Sequence, residues 1–192
     1  MKFSQGYLSV CLTLVLFFSI PGIGFSQFGQ NKITFSVGGQ YVQPLSGFNQ
    51  YQNYGSGIGL EVLDMYELSF IKDNLLIFGF SSYNFHNPKK NNNEPIINKS
   101  IQVLQGLGYN LKPIFFGAGI GYTFFSNQDK YTNAATFSTY LALGMDLTKD
   151  LRIASKYVSS NQKQYQSISG YGLKTVKYNS LSIGFYYVIG MK

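Results

Sequence analysis

From Lys32 onward apolar side chains return at every second position, the period of a strand whose two faces meet different surroundings. Ile33, Phe35, Val37, Gly39 and Tyr41 share one face, and Thr34, Ser36, Gly38 and Gln40 share the other. The same alternation continues in Ile101, Val103, Leu107 and Tyr109, and again in Ile114, Phe116, Ala118, Ile120, Tyr122 and Phe124. It recurs in Phe137, Leu141, Leu143, Met145 and Leu147, in Leu151, Ile153 and Tyr157, and in Leu181, Ile183, Phe185, Tyr187 and Ile189. With less regular segments at 57–70 and 75–86, the pattern predicts eight strands of about 9–14 residues, enough for a tilted membrane crossing. Asp64 breaks it. Counting through Ile58, Leu60 and Val62 puts this acid on the apolar face, so a bulge near Leu63-Asp64 is expected, with a similar slip near Ser81-Ser82 turning Phe78, Phe80, Tyr83 and Phe85 all outward.

The connections alternate in length. Residues 44–56, 87–99, 126–133 and 160–173 are long and polar, whereas Lys72-Asp73-Asn74, Asn110-Leu111-Lys112-Pro113 and Thr148-Lys149-Asp150 are short. An even number of strands with short turns at one end and long loops at the other predicts an all-β fold, an eight-stranded antiparallel up-and-down transmembrane β-barrel with both termini at the short-turn, periplasmic end. Glycine agrees: of Gly38, 39, 57, 59, 79, 106, 108, 117, 119, 121, 144 and 184, all but Gly39 fall on the less apolar face by this count. Eight strands leave a lumen just wide enough to fill with side chains, and small residues relieve the crowding. Tyr41, Tyr122, Phe124, Phe137 and Tyr157 lie toward the long-loop end, and Tyr66, Phe70, Tyr109, Phe185 and Tyr187 toward the other. Two aromatic girdles favour a lipid-facing exterior over a soluble barrel.

Composition narrows the class. Only 12% of the 192 residues are charged, 17% are aromatic, and there are 21 glycines and 5 prolines. That balance excludes a disordered chain, a collagen and a disulfide scaffold. The first 26 residues read as a cleavable signal peptide: Lys2, then an apolar run from Leu8 to Ile20, then Pro21-Gly22, with Gly24 and Ser26 at the peptidase positions. The expected domains are a 1–26 signal and a 27–192 barrel. Cys11, the single cysteine, leaves with the signal, and removing Lys2 takes the net charge from +7 to about +6.

Phe116-Gly117-Ala118-Gly119-Ile120-Gly121-Tyr122 and the closing Leu181-Ser182-Ile183-Gly184-Phe185-Tyr186-Tyr187 resemble segments of the small eight-stranded outer-membrane barrels of Gram-negative bacteria, of the OmpX, OmpW and OmpA-barrel type. The likeness is to the "outer membrane protein beta-barrel domain" group, covers the whole mature chain and is one of pattern. It implies residence in the cell outer membrane, with outer-membrane lipid, lipopolysaccharide, periplasmic chaperones and the barrel-assembly machinery as partners, no nucleic acid, and a monomer. The chain departs from the family in ending Val188-Ile189-Gly190-Met191-Lys192 rather than on an aromatic residue, which transfers recognition by the assembly machinery to Phe185 and Tyr187.

Little in the chain suggests reaction chemistry. Gly55-Ser56-Gly57-Ile58-Gly59 and Gly117 to Gly121 repeat with the strand period and not as a phosphate loop. One histidine and no mature cysteine leave no metal cluster and no cofactor site. His86, at the outer end of the third predicted strand, has no serine and acid at matching positions, so no catalytic residue is assigned. The ionic residues are more informative. Glu61 and Glu67, Asp146, and Arg152 and Lys156 take inward parity on the second, sixth and seventh predicted strands, where a lumenal ion-pair network is expected to plug the barrel, with Asp146 and Arg152 placed to pair directly across the Thr148-Lys149-Asp150 turn. Lys89, Lys90, Lys99, Lys130, Lys163, Lys174 and Lys177 face only Glu94 and Asp129 in the loops, a candidate basic patch for lipopolysaccharide phosphates. The expected role is a non-enzymatic, porin-like scaffold displaying four extracellular loops. Its alternatives are a narrow transport barrel for small apolar or polar solutes and, behind it, a lipid-modifying barrel enzyme.

Overall fold

The computed structural model describes residues 33–45, 54–68, 74–88, 97–127, 135–165 and 173–190. The predicted signal, Phe70, Lys89, Lys90 and Lys130 lie outside them. Eight strands follow one another: β1 (Ile33–Pro44), β2 (Tyr54–Glu67), β3 (Leu75–Pro88), β4 (Ile97–Leu111), β5 (Ile114–Asn127), β6 (Ala135–Asp146), β7 (Leu151–Tyr165) and β8 (Leu173–Gly190). Each pairs antiparallel with its sequence neighbour, and β8 returns to β1 from Thr34↔Gly190 to Pro44↔Ser180, closing the barrel. Closure matters because strands can cross an apolar medium only if no row of backbone N–H and C=O groups is left unpaired.

Local chemistry sets the short turns. Thr148 Oγ1 accepts the N–H of Asp150 at 3.2 Å and of Leu151 at 3.1 Å, folding the β6–β7 turn on itself. Asn74, entering β3, takes the left-handed conformation at φ 78°, one of the few non-glycine residues that does so readily. Lys112-Pro113 alone separates the last β4–β5 pair, Leu111↔Ile114.

The outside of the barrel is an apolar belt. Ile58, Leu60, Leu107, Ile120, Leu141, Leu143, Phe185 and Tyr187 are among its exposed side chains, with Ile58 and Leu60 each at 68%. The girdle residues Tyr41, Tyr122, Phe137, Tyr109, Phe185 and Tyr187 all stand on this face.

Three expectations for strands two to four are corrected. β2 is unbroken from Gly57 to Glu67 against β3, and Leu63 and Asp64 pair in step with Ser36 and Phe35 of β1. The register shift in β2 lies between Tyr54 and Gly57, so no bulge turns Asp64 inward and the acid stays on the outer face. No slip occurs at Ser81-Ser82 either: β3 pairs with β4 without interruption from Leu75 to Phe85. Phe78 and Phe80 therefore point inward and are fully buried, while Tyr83 and Phe85 point out. By the same parity Gly79, opposite Asp64 and Gln105, belongs to the outer face with Gly39.

The long connections are also shorter than expected. β7 and β8 continue to pair through Asn161↔Lys177, Gln162↔Val176, Lys163↔Thr175, Gln164↔Lys174 and Tyr165↔Leu173, beyond the last β6–β7 pair at Ser138↔Ser160 and the last β1–β8 pair at Pro44↔Ser180. Residues 160–165 and 173 of the predicted 160–173 loop thus belong to a two-stranded ribbon.

The barrel lumen as candidate functional site

Inward positions sort by height. On β3, rising from the short-turn end, they read Leu76, Phe78, Phe80, Ser82, Asn84 and His86; on β6, descending toward it, Thr136, Ser138, Tyr140, Ala142, Gly144 and Asp146. On these two strands the lumen changes from a largely aromatic lower half to a hydroxyl- and amide-lined upper half, whereas β1 and β7 carry polar groups low down as well, at Ser36 and Arg152.

The lower half is packed on glycine. Phe78, Phe80 and Tyr140 meet edge to face, with centroids 5.6–5.8 Å apart, and Phe115 joins Phe78 at 6.3 Å. Leu63, Met65, Leu76, Leu104, Ala142, Ala154, Val158 and Tyr186 complete the cluster. The rings lie over the inward glycines of facing strands. A methyl at Gly108 or Gly117 would come within 2.8 or 2.5 Å of Phe78 Cε1, and one at Gly119 within 2.5 Å of Tyr140 Cε1. Gly144 lies under Phe115 and Gly184 under Tyr186. The inward glycines serve the rings and also the close approach of neighbouring strands, since a methyl at Gly38 or Gly121 would come within 2.0 Å of the backbone oxygen of Phe185 or Val103.

The ionic groups divide into three sites. Glu61, between Gly38 and Ser82 on neighbouring strands, meets Lys156 of β7 across the lumen. Both side chains are fully buried. The Tyr186 hydroxyl donates to Glu61 Oε1 at 2.6 Å, and the Lys156 ammonium sits 4.8 Å from the centre of the Phe80 ring. Lower down, Arg152 Nε donates to Asp146 Oδ1 at 2.6 Å, its Nη1 reaches Ser36 Oγ at 3.2 Å, and the guanidinium covers Phe115 at 5.2 Å. Glu67 does not join either pair. It accepts from Asn110 Nδ2 at 3.1 Å and lies 3.9 Å from the exposed Lys112, at the short-turn rim, because two further inward positions of β2 separate it from Glu61. The single network expected of Glu61, Glu67, Asp146, Arg152 and Lys156 is corrected to a central pair, a lower pair and a rim contact.

Sequence reasoning missed the upper network. Gln40 Nε2 donates to Asn84 Oδ1 at 2.7 Å, and Asn84 Nδ2 reaches Ser82 and Ser100, each at 3.3 Å. Ser138 links Thr123 at 2.8 Å and Ser160 at 2.6 Å. Phe125 and Tyr178 stack above them with centroids 4.7 Å apart. Parity placed these polar residues inward, but their partners come from strands distant in sequence. His86 reaches a serine that is not its register partner: its Nε2 lies 2.9 Å from Ser100 Oγ, and Ser100 pairs with Asn84. Both residues are buried, and that hydroxyl also accepts from Asn84. Of the basic patch, Lys99 stands half-buried on the outer face of β4, and Lys163, Lys174 and Lys177 occupy backbone positions in the β7–β8 ribbon, while Lys89 and Lys90 lie outside the described residues. Among the described residues there is no cluster of His, Cys, Asp and Glu able to hold a metal.

No protein-family model matches the chain, and neither does any curated protein. Solved structures do match. Neisserial surface protein A is 12% identical with a TM-score of 0.50, the alignment covering 83% of this chain and 99% of that one. The outer membrane protein OprG of Pseudomonas aeruginosa is 16% identical at 0.49, over 84% and 97%. The attachment invasion locus protein Ail of Yersinia pestis is 14% identical at 0.45, over 83% and 97%. The fold is that of the small eight-stranded outer-membrane barrels.

Proposed function

We propose that this protein is an integral outer-membrane barrel with a closed lumen, a scaffold that holds four polar connections at one membrane surface and catalyses no reaction. The observation that carries the reading is the Glu61–Lys156 contact across the lumen, seated on the Phe78–Phe80–Tyr140 cluster. An ion pair above stacked rings, both sealed from solvent, leaves ions no continuous polar path. The apolar belt supplies the membrane contact: each Lys or Arg moved to its midplane would cost about 2–4 kcal/mol. In this reading the long connections face outward from the cell and both strand termini face the periplasm. Lys89, Lys90, Lys99, Lys163, Lys174 and Lys177 then give the outer end a positive field suited to lipopolysaccharide phosphates. Phe185 and Tyr187, both exposed on the belt near the C-terminus, are the side chains offered to the assembly machinery.

Two measurements test this. The folded protein should fractionate with the outer membrane and migrate faster on gels before boiling than after; its absence from that fraction would remove the membrane reading. In planar bilayers it should give no stable open steps, and sustained steps would replace the scaffold with the narrow transport barrel. The enzyme alternative predicts that His86→Ala alters the lipid A profile; an unchanged profile is expected, since His86 and Ser100 serve the buried hydrogen-bond network.

A further inference from the structure

The lumen is not filled alike along its length. Following register partners around the barrel from Asp146 through Glu61 returns to β6 at Thr136, ten residues nearer the long-connection end. That stagger tilts the strands by roughly 40° and ranks the inward side chains by height. Two contacts then span the barrel at different levels. Glu61 of β2 meets Lys156 of β7 midway, and Phe125 of β5 stacks on Tyr178 of β8 about 12 Å higher. Gln40 stands just above the lower bridge and Thr136 just below the upper one.

Between the bridges the inward side chains are short. Ser82, Ser100, Ser138, Ser160, Ser180 and Ser182, all buried, take up a cross-section that aromatic rings fill below. The amides keep to one wall: Gln40 donates to Asn84, Asn84 to Ser82 and Ser100, and Ser82 to Gln102, all on β1, β3 and β4. Thr123, Ser138 and Ser160 bond to one another on β5, β6 and β7. Among the described residues no side-chain hydrogen bond joins the two groups. Each wall also carries a buried atom without a partner among the described residues, Gln40 Oε1 on the first and Thr136 Oγ1 on the second. The orientation of the Gln40 amide follows from its neighbours. Asn84 directs both amide hydrogens to serine hydroxyls, so its oxygen accepts from the Gln40 nitrogen and the Gln40 oxygen is left over.

We infer that the space between the two bridges is a binding chamber for ordered water, with molecules that donate to Gln40 Oε1, bond to Thr136 Oγ1 and join the two walls. A space that serines leave open and that hydroxyls and amides line holds water, whereas cavities that stay empty are apolar. Water is also the occupant the geometry selects. Gln40 Oε1 can only accept, so its partner must donate, and the stacked rings above and the buried ion pair below close both ends to a larger solute. The inference rests on the closed-lumen reading and gives the upper half a hydrated filling that the lower half lacks.

The test is nuclear magnetic resonance of the methyl-labelled protein folded in detergent micelles. Long-lived water should give Overhauser cross-peaks to the methyl groups of Val42 and Val158, buried inward residues between the bridges, and none to those of Leu63 and Leu76 in the aromatic half. Thr136→Val, which replaces the hydroxyl with a methyl of similar shape, reads the same question through stability. With water bound, the substitution removes a hydrogen bond, and the equilibrium constant for unfolding in urea should rise about threefold to tenfold. With none bound, it relieves a buried orphan and the constant should fall. Cross-peaks missing from Val42 and Val158, or a Thr136→Val chain more stable than the wild type, would overturn the inference while leaving a non-conducting barrel in place. Stable open steps in planar bilayers would overturn the closed-lumen reading first, and the chamber with it.

Discussion

The two halves of the lumen fill the same cylinder by different means. Below Glu61 and Lys156 the space is closed by shape: four aromatic rings interlock over glycines, and a neighbour enlarged by one methyl has nowhere to go. Above them it is closed by hydrogen bonds among Gln40, Asn84, Ser100, Ser138 and Ser160, short side chains whose partners can be exchanged. The lower half is therefore expected to tolerate one arrangement and the upper half several. The ion pair sits at the junction, where an apolar floor removes water from one side and a polar ceiling supplies partners on the other. The comparison predicts that equally small substitutions are tolerated above the junction and punished below it.

The largest effect belongs to the junction. Lys156→Ala leaves Glu61 buried beside Tyr186 without its cation, and a loss of about 3–5 kcal/mol is expected. Urea unfolding followed by heat-modifiable migration measures it. Replacing both charges by Glu61→Leu and Lys156→Met should recover most of that loss, because a pair removed together leaves no orphan charge. If the double variant is as unstable as the single one, the contact is more than a charge pair and the two halves are coupled through it.

Next comes a test confined to the lower half. Gly117→Ala adds a methyl within 2.5 Å of Phe78 Cε1, and overfilling a closed aromatic layer should destabilise the barrel by about 1–3 kcal/mol. In the upper half Asn84→Ala removes the acceptor of Gln40 and the donor to Ser82 and Ser100 at once. Despite losing more hydrogen bonds, it should cost no more than about 1–2 kcal/mol, because Gln40 and the serines can turn to one another. The ranking of these two variants is the sharper measurement; its reversal would mean that the upper network is as rigid as the aromatic layer.

Most of the architecture was legible before the structure. Alternation in β1, β5, β6 and β8 fixes which face is apolar, and the long and short connections fix the up-and-down order. The errors collect in β2 and β3, where the lumen itself is apolar: Phe78 and Phe80 look lipid-facing by composition, and only the pairing of Gly79 with Asp64 and Gln105 shows that parity runs through without a slip. A signal was present. Gly106, Gly108, Gly117 and Gly119 leave a large volume on one side of the lumen that rings from other strands must occupy, and Phe78, Phe115 and Tyr140 are the inward rings that do so. Glu61, Asp146, Arg152 and Lys156 were identified as inward charges by parity, and the short turn between Asp146 and Arg152 already set that pair together, but the meeting of Glu61 with Lys156 across the lumen depends on the stagger of strands around the barrel, which no single strand encodes.

The smallest effect is the most discriminating. Ser138→Ala deletes a hydroxyl that joins Thr123 to Ser160, without changing the packed volume appreciably. Ser160 Oγ already donates to Thr123 Oγ1 at 3.4 Å, a hydrogen bond free to shorten when the hydroxyl between them is gone. The expected loss is therefore below the usual figure for one buried hydrogen bond, about 0.5 kcal/mol against roughly 1. The same unfolding assay, run beside Gly117→Ala, resolves that difference. A loss near 2 kcal/mol would show that the serine cannot be replaced by its neighbours, and the upper lumen would then be a fixed lining like the rings beneath it.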